Sequence, residues 1–136
     1  MDVLVDTSVW SMALRRAANR EDPLVRELTE LVREGRALMM GLVRQELLSG
    51  VRTDSQFESL RSHLRAFPDI SLEIADHEEA AAFFNKCRSQ GVQGSTVDLL
   101  ICAVAVRHQA AILTADGDFL HYARILSLTL HTPRVK

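Results

Sequence analysis

The sequence predicts an α/β fold with a mainly parallel central sheet of about five strands and helices on both faces. Two observations indicate this class: short apolar runs recur along the chain, and stretches with helical spacing of apolar residues separate them. The chain has 136 residues and contains neither a repeat nor a linker, so residues 1–136 are expected to form one domain.

The predicted strands, in order, are residues 3–5, 37–40, 70–74, 111–114 and 126–131. The first is a short run rich in β-branched residues, and the second and fourth are equally short apolar runs. In the third, apolar and polar residues alternate, which is typical of a half-buried strand. The last is the segment that closes the chain.

The first predicted helix starts at residue 7. The other predicted helices cover residues 23–34, 42–48, 55–66, 75–90, 95–108 and 118–125. Most have apolar residues three and four positions apart, and residues that favour helix ends mark their limits. Pro23 opens the second helix and Gly35 follows its end, while Gly50 and Gly91 follow the ends of two others. Ser95 is suited to cap the most apolar helix.

The composition excludes several classes of protein. Apolar residues make up 47% of the chain, but the longest uninterrupted run, Leu99–Val106, is far shorter than the roughly 20 residues of a membrane span. The first residues carry an acid and no basic segment, so no secretory signal is predicted. Two cysteines are too few for a disulfide framework. The expected location is the cytoplasm.

The basic residues are almost all arginine. With a net charge of −2, the chain is not a general nucleic-acid coating protein, yet 14 of its 16 basic residues are Arg. Guanidinium groups pair bidentately with phosphates and carboxylates, which suits RNA or an acidic partner. A genome rich in G and C would give the same bias, so both interpretations stay open here.

Two acids follow predicted strands directly. Asp6 comes after the run at 3–5, and Asp116 comes shortly after the run at 111–114. Ligand sites of α/β sheets lie at the carboxyl ends of the strands, where both acids are expected. Each acid has a structural alternative, because Asp6 is also suited to cap a helix and Asp116-Gly117-Asp118 is a good turn sequence.

Two further acids are predicted to lie on apolar faces of helices. Glu46 falls four positions after Leu42 and three after Val43, and Asp98 shares a helix face with Ile101 and Cys102. A carboxylate buried alone is costly, so each must be paired, protonated or bound to a metal. For Asp98 the alternative is a favourable charge at a helix N-terminus.

Carboxylates that converge repel one another, and a hard divalent cation is the simplest remedy. Oxygen ligands favour Mg²⁺ or Mn²⁺, whereas Zn²⁺ normally takes His or Cys. Carboxylate-held Mg²⁺ indicates phosphoryl chemistry with an activated water. The sequence has no Ser-His-Asp elbow and no glycine-rich phosphate loop, so acyl transfer and nucleoside-triphosphate hydrolysis lose support.

Four sequence blocks resemble one known family. The blocks are VLVDTSVW at 3–10, QELLSG at 45–50, STVDLLICA at 95–103 and LTADGDF at 113–119. In their order and approximate spacing they resemble the PIN-domain nucleases, and the short chain is most similar to the VapC toxins of bacterial toxin–antitoxin pairs. The resemblance covers essentially the whole chain.

The resemblance implies roles for particular residues. It implies a catalytic, metal-binding cluster that consists of Asp6, Glu46, Asp98 and Asp116, with Asp118 as a further metal ligand. Polar residues beside the cluster are implied to orient a carboxylate or water, with simple helix capping as the alternative; these are Thr7, Ser8 and Thr114.

The resemblance also implies an activity and partners. It implies an Mg²⁺-dependent endoribonuclease, with Mn²⁺ as an alternative ion, that acts as the toxin of a type II pair. The implied partners are a VapB-like antitoxin, a structured transfer or ribosomal RNA, and a second copy of the chain in a homodimer.

Two other functions are weighed against this one. An aspartyl-phosphate phosphatase of the haloacid dehalogenase kind also carries an Asp after its first strand, but it needs an acid two residues on, where this chain has Ser8. A non-catalytic or housekeeping RNA-binding protein with a PIN fold would be expected to have lost an acid, and all four are present.

Overall fold

A computed structural model describes residues 1–15 and 17–134. Three parallel strands form the regular sheet: β1 (Val3–Val5), β2 (Ala37–Leu38) and β3 (Ala111–Leu113). Their order is β2-β1-β3, and Val3 pairs with Ala37 on one side and Ala111 on the other. The first strand in the sequence therefore lies at the centre of the sheet, where all three of its residues are buried. The predicted α/β class is confirmed.

Two of the five predicted strands are reduced to single bridges. Met39 pairs with Asp69 beyond β2, and Ile112 pairs with Leu130 beyond β3, both in parallel. The prediction of strands at 70–74 and 126–131 is therefore wrong in extent, although both segments lie beside the sheet. At the first edge Pro68 lacks the N–H that would extend the ladder, and a helix begins a few residues later.

The helices are α1 (Thr7–Leu14), α2 (Pro23–Arg33), α3 (Gly41–Leu48), α4 (Asp54–Leu64), α5 (Ile74–Ser89), α6 (Thr96–Arg107) and α7 (Asp118–Ile125). Each predicted helix is present, with small shifts at its ends. The limits follow local chemistry: Ser95 Oγ accepts from the Asp98 N–H at 3.0 Å, and Gly35 adopts a φ of +68° after α2.

Helix α6 supplies much of the core. Its residues from Leu99 to Ala105 are all buried, and the helix packs on β1 and β3. Burying each large aliphatic side chain contributes about 1.5–3 kcal/mol, so this helix fixes the first-turn residue Asp98 firmly against the sheet. Within residues 1–15 and 17–134, no helix combines the length and apolarity that crossing a membrane requires.

Three arginines fasten distant segments of the chain together. Arg44 donates to Asp69 Oδ1 at 2.9 Å and to the carbonyl oxygen of Leu64 at 3.0 Å. Arg107 donates to both carboxylate oxygens of the buried Asp76, at 2.6 and 2.8 Å. These bidentate and backbone contacts are the geometry in which Arg is preferred over Lys.

The third arginine holds the end of the described chain. Arg134 Nε donates to the buried Glu27 at 3.0 Å, and its two terminal nitrogens donate to Glu34 at 2.8 and 2.9 Å. His131 Nε2 lies 2.6 Å from Glu27 Oε2. Burial raises the pKa of Glu27, but its bonds with His131 and Arg134 outweigh that and lower the pKa below its ordinary value. The carboxylate therefore stays ionised and holds the C-terminal segment on α2.

Candidate active site

The candidate site lies where β1 and β3 end at the same edge of the sheet. Asp6 follows β1, and Asp116 follows β3 after a short turn. Asp98 lies in the first turn of α6, and Asp118 is the first residue of α7. Four acids from three distant parts of the sequence therefore meet at this edge because the parallel topology brings their elements together.

Asp6 is the buried member of the site. Only 5% of the residue is exposed, and both of its carboxylate oxygens accept hydrogen bonds from hydroxyls. Ser8 Oγ donates to Oδ1 at 2.6 Å, and Thr114 Oγ1 donates to Oδ2 at 2.7 Å. Burial raises the pKa of Asp6, the two hydroxyl bonds partly offset that rise, and the charge of Asp116 adds to it.

The same two hydroxyls connect Asp6 to the turn after β3. Ser8 Oγ accepts from the Ala115 N–H at 2.9 Å, and Thr114 Oγ1 accepts from the Asp116 N–H at 2.9 Å. Asp116 Oδ1 in turn accepts from the Asp118 N–H at 2.9 Å. The position of the turn, and with it the positions of two acids, is therefore fixed from the end of β1.

Three carboxylates come close enough to share a cation. Asp98, Asp116 and Asp118 each offer an oxygen atom, and these atoms all lie within 4.8 Å of one another. We call these residues the three-acid cluster. Asp116 and Asp118 are neighbours in one turn, and the tertiary fold brings Asp98 of α6 to them, so the repulsion between Asp98 and the other two is imposed by the fold.

Asp98 is held by a tyrosine that the sequence interpretation missed. The hydroxyl of the buried Tyr122 donates to Asp98 Oδ2 at 2.9 Å. Burial raises the pKa of Asp98, the bonds from Tyr122 and Ser95 partly offset it, and the charges of Asp116 and Asp6 raise it further. Burial and the bond to Asp98 also raise the pKa of Tyr122, so its hydroxyl stays protonated and keeps donating. A signal existed: this single Tyr falls four positions after Asp118, on the same face of a helix.

Glu46 occupies a different position from the one predicted. The expectation that it lies on a buried stripe of its helix is wrong, because the side chain is exposed and only Val43 of α3 is buried. Its Oε1 accepts from Thr7 Oγ1 at 2.6 Å, so Glu46 is joined to the residue next to Asp6. Within the described residues it does not belong to the three-acid cluster.

Of the eight residues singled out from the sequence, the structure joins Asp6, Ser8, Thr114 and Asp116 through hydrogen bonds and brings Asp98 and Asp118 beside Asp116. Thr7 and Glu46 form a separate pair at the margin. Their catalytic and metal-binding roles stay predictions.

The donor set fits a hard divalent cation. Every ligand atom available in the three-acid cluster is a carboxylate oxygen, with no thiolate or imidazole among them. The charge of Asp116 raises the pKa of both Asp6 and Asp98, which shows that negative charge accumulates there without full compensation. Mg²⁺ and Mn²⁺ are the ions whose ligand preference and charge match this set.

Comparison with known proteins agrees with this geometry. The family model described as "PIN domain" matches residues 3–125. The chain is 31% identical over 128 residues to the VapC ribonuclease Mb1587 of Mycobacterium bovis and, likewise, to the ribonuclease VapC11 of Mycobacterium tuberculosis. In each case the match covers 93% of this chain and 95% of the relative.

Solved structures share the fold. FitAcB from Neisseria gonorrhoeae has a TM-score of 0.77 at 20% identity, over 96% of this chain and 97% of that one. VapBC2 from Rickettsia felis, solved bound to a DNA fragment from its promoter, has a TM-score of 0.77 at 19% identity, over 96% and 98% of the two chains. The chain therefore belongs to the PIN domain family, in its VapC-type branch, and is accordingly an enzyme of the hydrolase class.

The crowded carboxylates lead to a prediction about stability without metal. Because the folded-state pKa of Asp98 is raised, its ionised form disfavours the fold at every pH above that pKa. Asp98→Asn removes the charge and keeps an oxygen that can accept from Tyr122. We expect it to raise the free energy of unfolding of the metal-free protein by about 0.5–2 kcal/mol at pH 7. The gain should shrink as the pH falls through the raised pKa, and disappear below the unfolded value of 3.8.

Thermal or urea unfolding in the presence of EDTA measures this effect. Asp2→Asn is the matched control, since it removes one carboxylate from an exposed residue outside the site. A free energy of unfolding that Asp98→Asn lowers, while Asp2→Asn leaves it unchanged, would contradict the prediction. It would mean that the carboxylate stabilises the N-terminus of α6.

Proposed function

We propose that this protein is an Mg²⁺-dependent endoribonuclease that acts as the toxin of a type II toxin–antitoxin pair. The observation that carries the proposal is the convergence of Asp6, Asp98, Asp116 and Asp118 at the carboxyl edge of a parallel sheet in a PIN-family chain. Relatives that match over nearly the whole chain are named as ribonucleases. Residues 1–136 would act as one PIN-like domain.

Each side chain would have a distinct part in hydrolysis of a phosphodiester bond. Bound Mg²⁺ or Mn²⁺ would supply Lewis-acid polarisation of the phosphate and a water molecule of lowered pKa. Asp98, Asp116 and Asp118 would hold the ion with one oxygen each. Asp6, with both oxygens fixed by Ser8 and Thr114, would present a carboxylate that needs no reorganisation as the ion enters.

Glu46 fits a proton-handling part better than a structural one. Its side chain is exposed. Thr7 donates a hydrogen bond to Oε1, and within the described residues no side chain donates one to Oε2. In the proposed reaction the water oxygen attacks phosphorus and gives a proton to Glu46 Oε2, while the bond to the leaving ribose oxygen breaks and that oxygen takes a proton from solvent water. Thr7 would set the direction of the carboxylate.

The partners follow from the same proposal. Solved structures with this fold include VapBC and FitAB complexes, which supports a VapB-like antitoxin for this chain. A structured transfer or ribosomal RNA would be the substrate, and a homodimer in the cytoplasm would be the working form. The antitoxin would inhibit by placing a basic side chain over the carboxylates.

The two alternatives have less support. In a phosphatase that uses an aspartyl phosphate, Asp6 would be the nucleophile, but here it is buried and both of its oxygens accept hydrogen bonds. A non-catalytic RNA-binding protein would gain nothing from four converging carboxylates, because they repel the phosphates of RNA.

The activity test uses the purified protein without its partner. We expect cleavage of RNA with Mg²⁺ or Mn²⁺, no cleavage with EDTA, and a rate at least about 100-fold lower in Asp6→Asn, which keeps the volume and removes the charge. Gel analysis of end-labelled RNA measures all three. Asp2→Asn is the control, because it removes the same charge from a residue outside the site. Full cleavage by the Asp6→Asn protein, or in EDTA, would contradict the mechanism.

Expression in a host cell tests the assignment as a toxin. Induction of the protein without the antitoxin should arrest growth, and Glu46→Gln should relieve the arrest because it removes the proton acceptor. Co-expression of the neighbouring antitoxin should relieve it as well, by occupying the site instead of destroying it. Growth curves at equal protein levels, checked by immunoblot, are the measurement. Arrest that persists in Glu46→Gln and in Asp6→Asn would show that toxicity arises elsewhere.

A further inference from the structure

A groove on the surface, separate from the three-acid cluster, is lined by positively charged side chains. The groove, of about 810 Å³, lies between the end of α1, the residues after α3, and α4, and Arg15 and Arg20 also line it. We call it the basic groove. The residues that matter for its chemistry are Arg15, Arg20, Arg52, His63, Leu14 and Leu60.

The charge of the basic groove is not balanced locally. Within residues 1–15 and 17–134, no acidic residue lines it, and none of Arg15, Arg20 and Arg52 takes part in an ion pair. This differs from Arg44 and Arg107, whose guanidinium groups are taken up by carboxylates of the fold. Three unpaired guanidinium groups that line one groove give it a local positive charge on a chain of net charge −2, and a polyanion would complement that charge.

The basic groove is connected to the acidic site by two helices. Thr7 begins α1 beside Glu46, and Leu14 at the other end of α1 lines the groove. Glu46 lies in α3, and the residues just after that helix, up to Arg52, line the groove too. Eight helical residues span about 12 Å, so the groove begins roughly one short helix away from the carboxylates.

An acidic site has difficulty binding a polyanionic substrate. Phosphates that flank the scissile bond are repelled by the uncompensated charge of Asp6, Asp98 and Asp116, so affinity for RNA must come from cations nearby. Guanidinium groups suit this task because they donate two parallel hydrogen bonds to a phosphate.

We propose that the basic groove binds the RNA phosphates on one side of the scissile bond through Arg15, Arg20 and Arg52. The inference rests on the proposed ribonuclease function and adds the surface that holds the substrate. An acidic segment of a protein partner is the competing occupant. Single-stranded or looped RNA suits the groove better, because its backbone is continuous with the phosphate that the acidic site must receive.

The test measures RNA binding in the cleavage-inactive Asp6→Asn background. The groove variant carries Arg15→Ala, Arg20→Ala and Arg52→Ala together, all at exposed positions. The control carries Arg33→Ala, Arg61→Ala and Arg88→Ala, which remove the same charge from exposed positions outside the groove. The affinity of each variant is measured for a labelled single-stranded RNA of about 20 nucleotides at several salt concentrations. This RNA is longer than one binding site.

We expect the groove variant to have a Kd at least about tenfold higher near physiological salt. The slope of log K against log[salt] should be smaller in magnitude by about 2. The control should change Kd less than about threefold. In the background with an intact Asp6, the groove variant should raise KM and leave kcat close to its original value. A second groove variant with Gln at the three positions, checked by its melting curve, separates charge loss from misfolding.

The outcomes separate this inference from the function on which it rests. Cleavage and binding at the parental level in both groove variants would overturn the groove assignment and leave the ribonuclease proposal intact. Unchanged RNA binding with loss of antitoxin co-purification would assign the groove to a protein partner and overturn it as well. A parent protein that neither binds nor cleaves RNA would overturn both proposals.

Discussion

The burial of Asp6 at the end of the central strand is the constraint on which the site depends. Because β1 is flanked by β2 and β3, the residue that follows it is only 5% exposed, and its carboxylate takes its hydrogen bonds from the protein. Ser8 and Thr114 do this with two hydroxyl bonds, and the same hydroxyls accept the N–H groups of the turn after β3. One buried carboxylate thereby sets the position of Asp116 and, through it, of Asp118.

This arrangement makes the acidic site a source of instability that other contacts must offset. Asp6 and Asp98 have raised pKa values because they are buried near another negative charge, so their ionised forms disfavour the fold. Elsewhere the chain places buried carboxylates against arginines. Asp76 pairs with Arg107, and the bond to that guanidinium lowers the pKa of Asp76. Buried carboxylates outside the site are therefore paired with arginines, whereas those of the site have no cationic partner among the described residues.

The sequence was most informative where a pattern has a single physical explanation. The buried strand at 3–5 and the helix at 118–125 follow from local composition, and the parallel topology then places Asp6 and Asp116 at one edge. Glu46 was misplaced because α3 is only eight residues long, too short for its apolar spacing to define a buried face. The outer strands were overestimated because the local pattern of apolar and polar residues does not reveal how many hydrogen bonds a neighbouring strand will make with the segment.

Features that depend on distant residues were out of reach. The spacing from Asp118 places Tyr122 on the same helix face as an acid, but its hydrogen bond to Asp98 forms only because the tertiary fold brings α7 to the first turn of α6. The basic groove likewise takes its arginines from the segment after α1 and from the residues after α3. The arginine bias had two open explanations, and the contacts of Arg44, Arg107 and Arg134 now give part of it a structural role.

The measurement that tests the central claim most directly follows metal binding and RNA cleavage in one sample. Free Mn²⁺ is quantified by electron paramagnetic resonance while cleavage of labelled RNA is measured at each Mn²⁺ concentration. The account predicts that the rate rises in proportion to bound Mn²⁺, and that Asp116→Asn loses both binding and cleavage while it keeps the melting curve of a folded protein. Cleavage that proceeds before Mn²⁺ is bound, or binding that Asp116→Asn leaves unchanged, would contradict it.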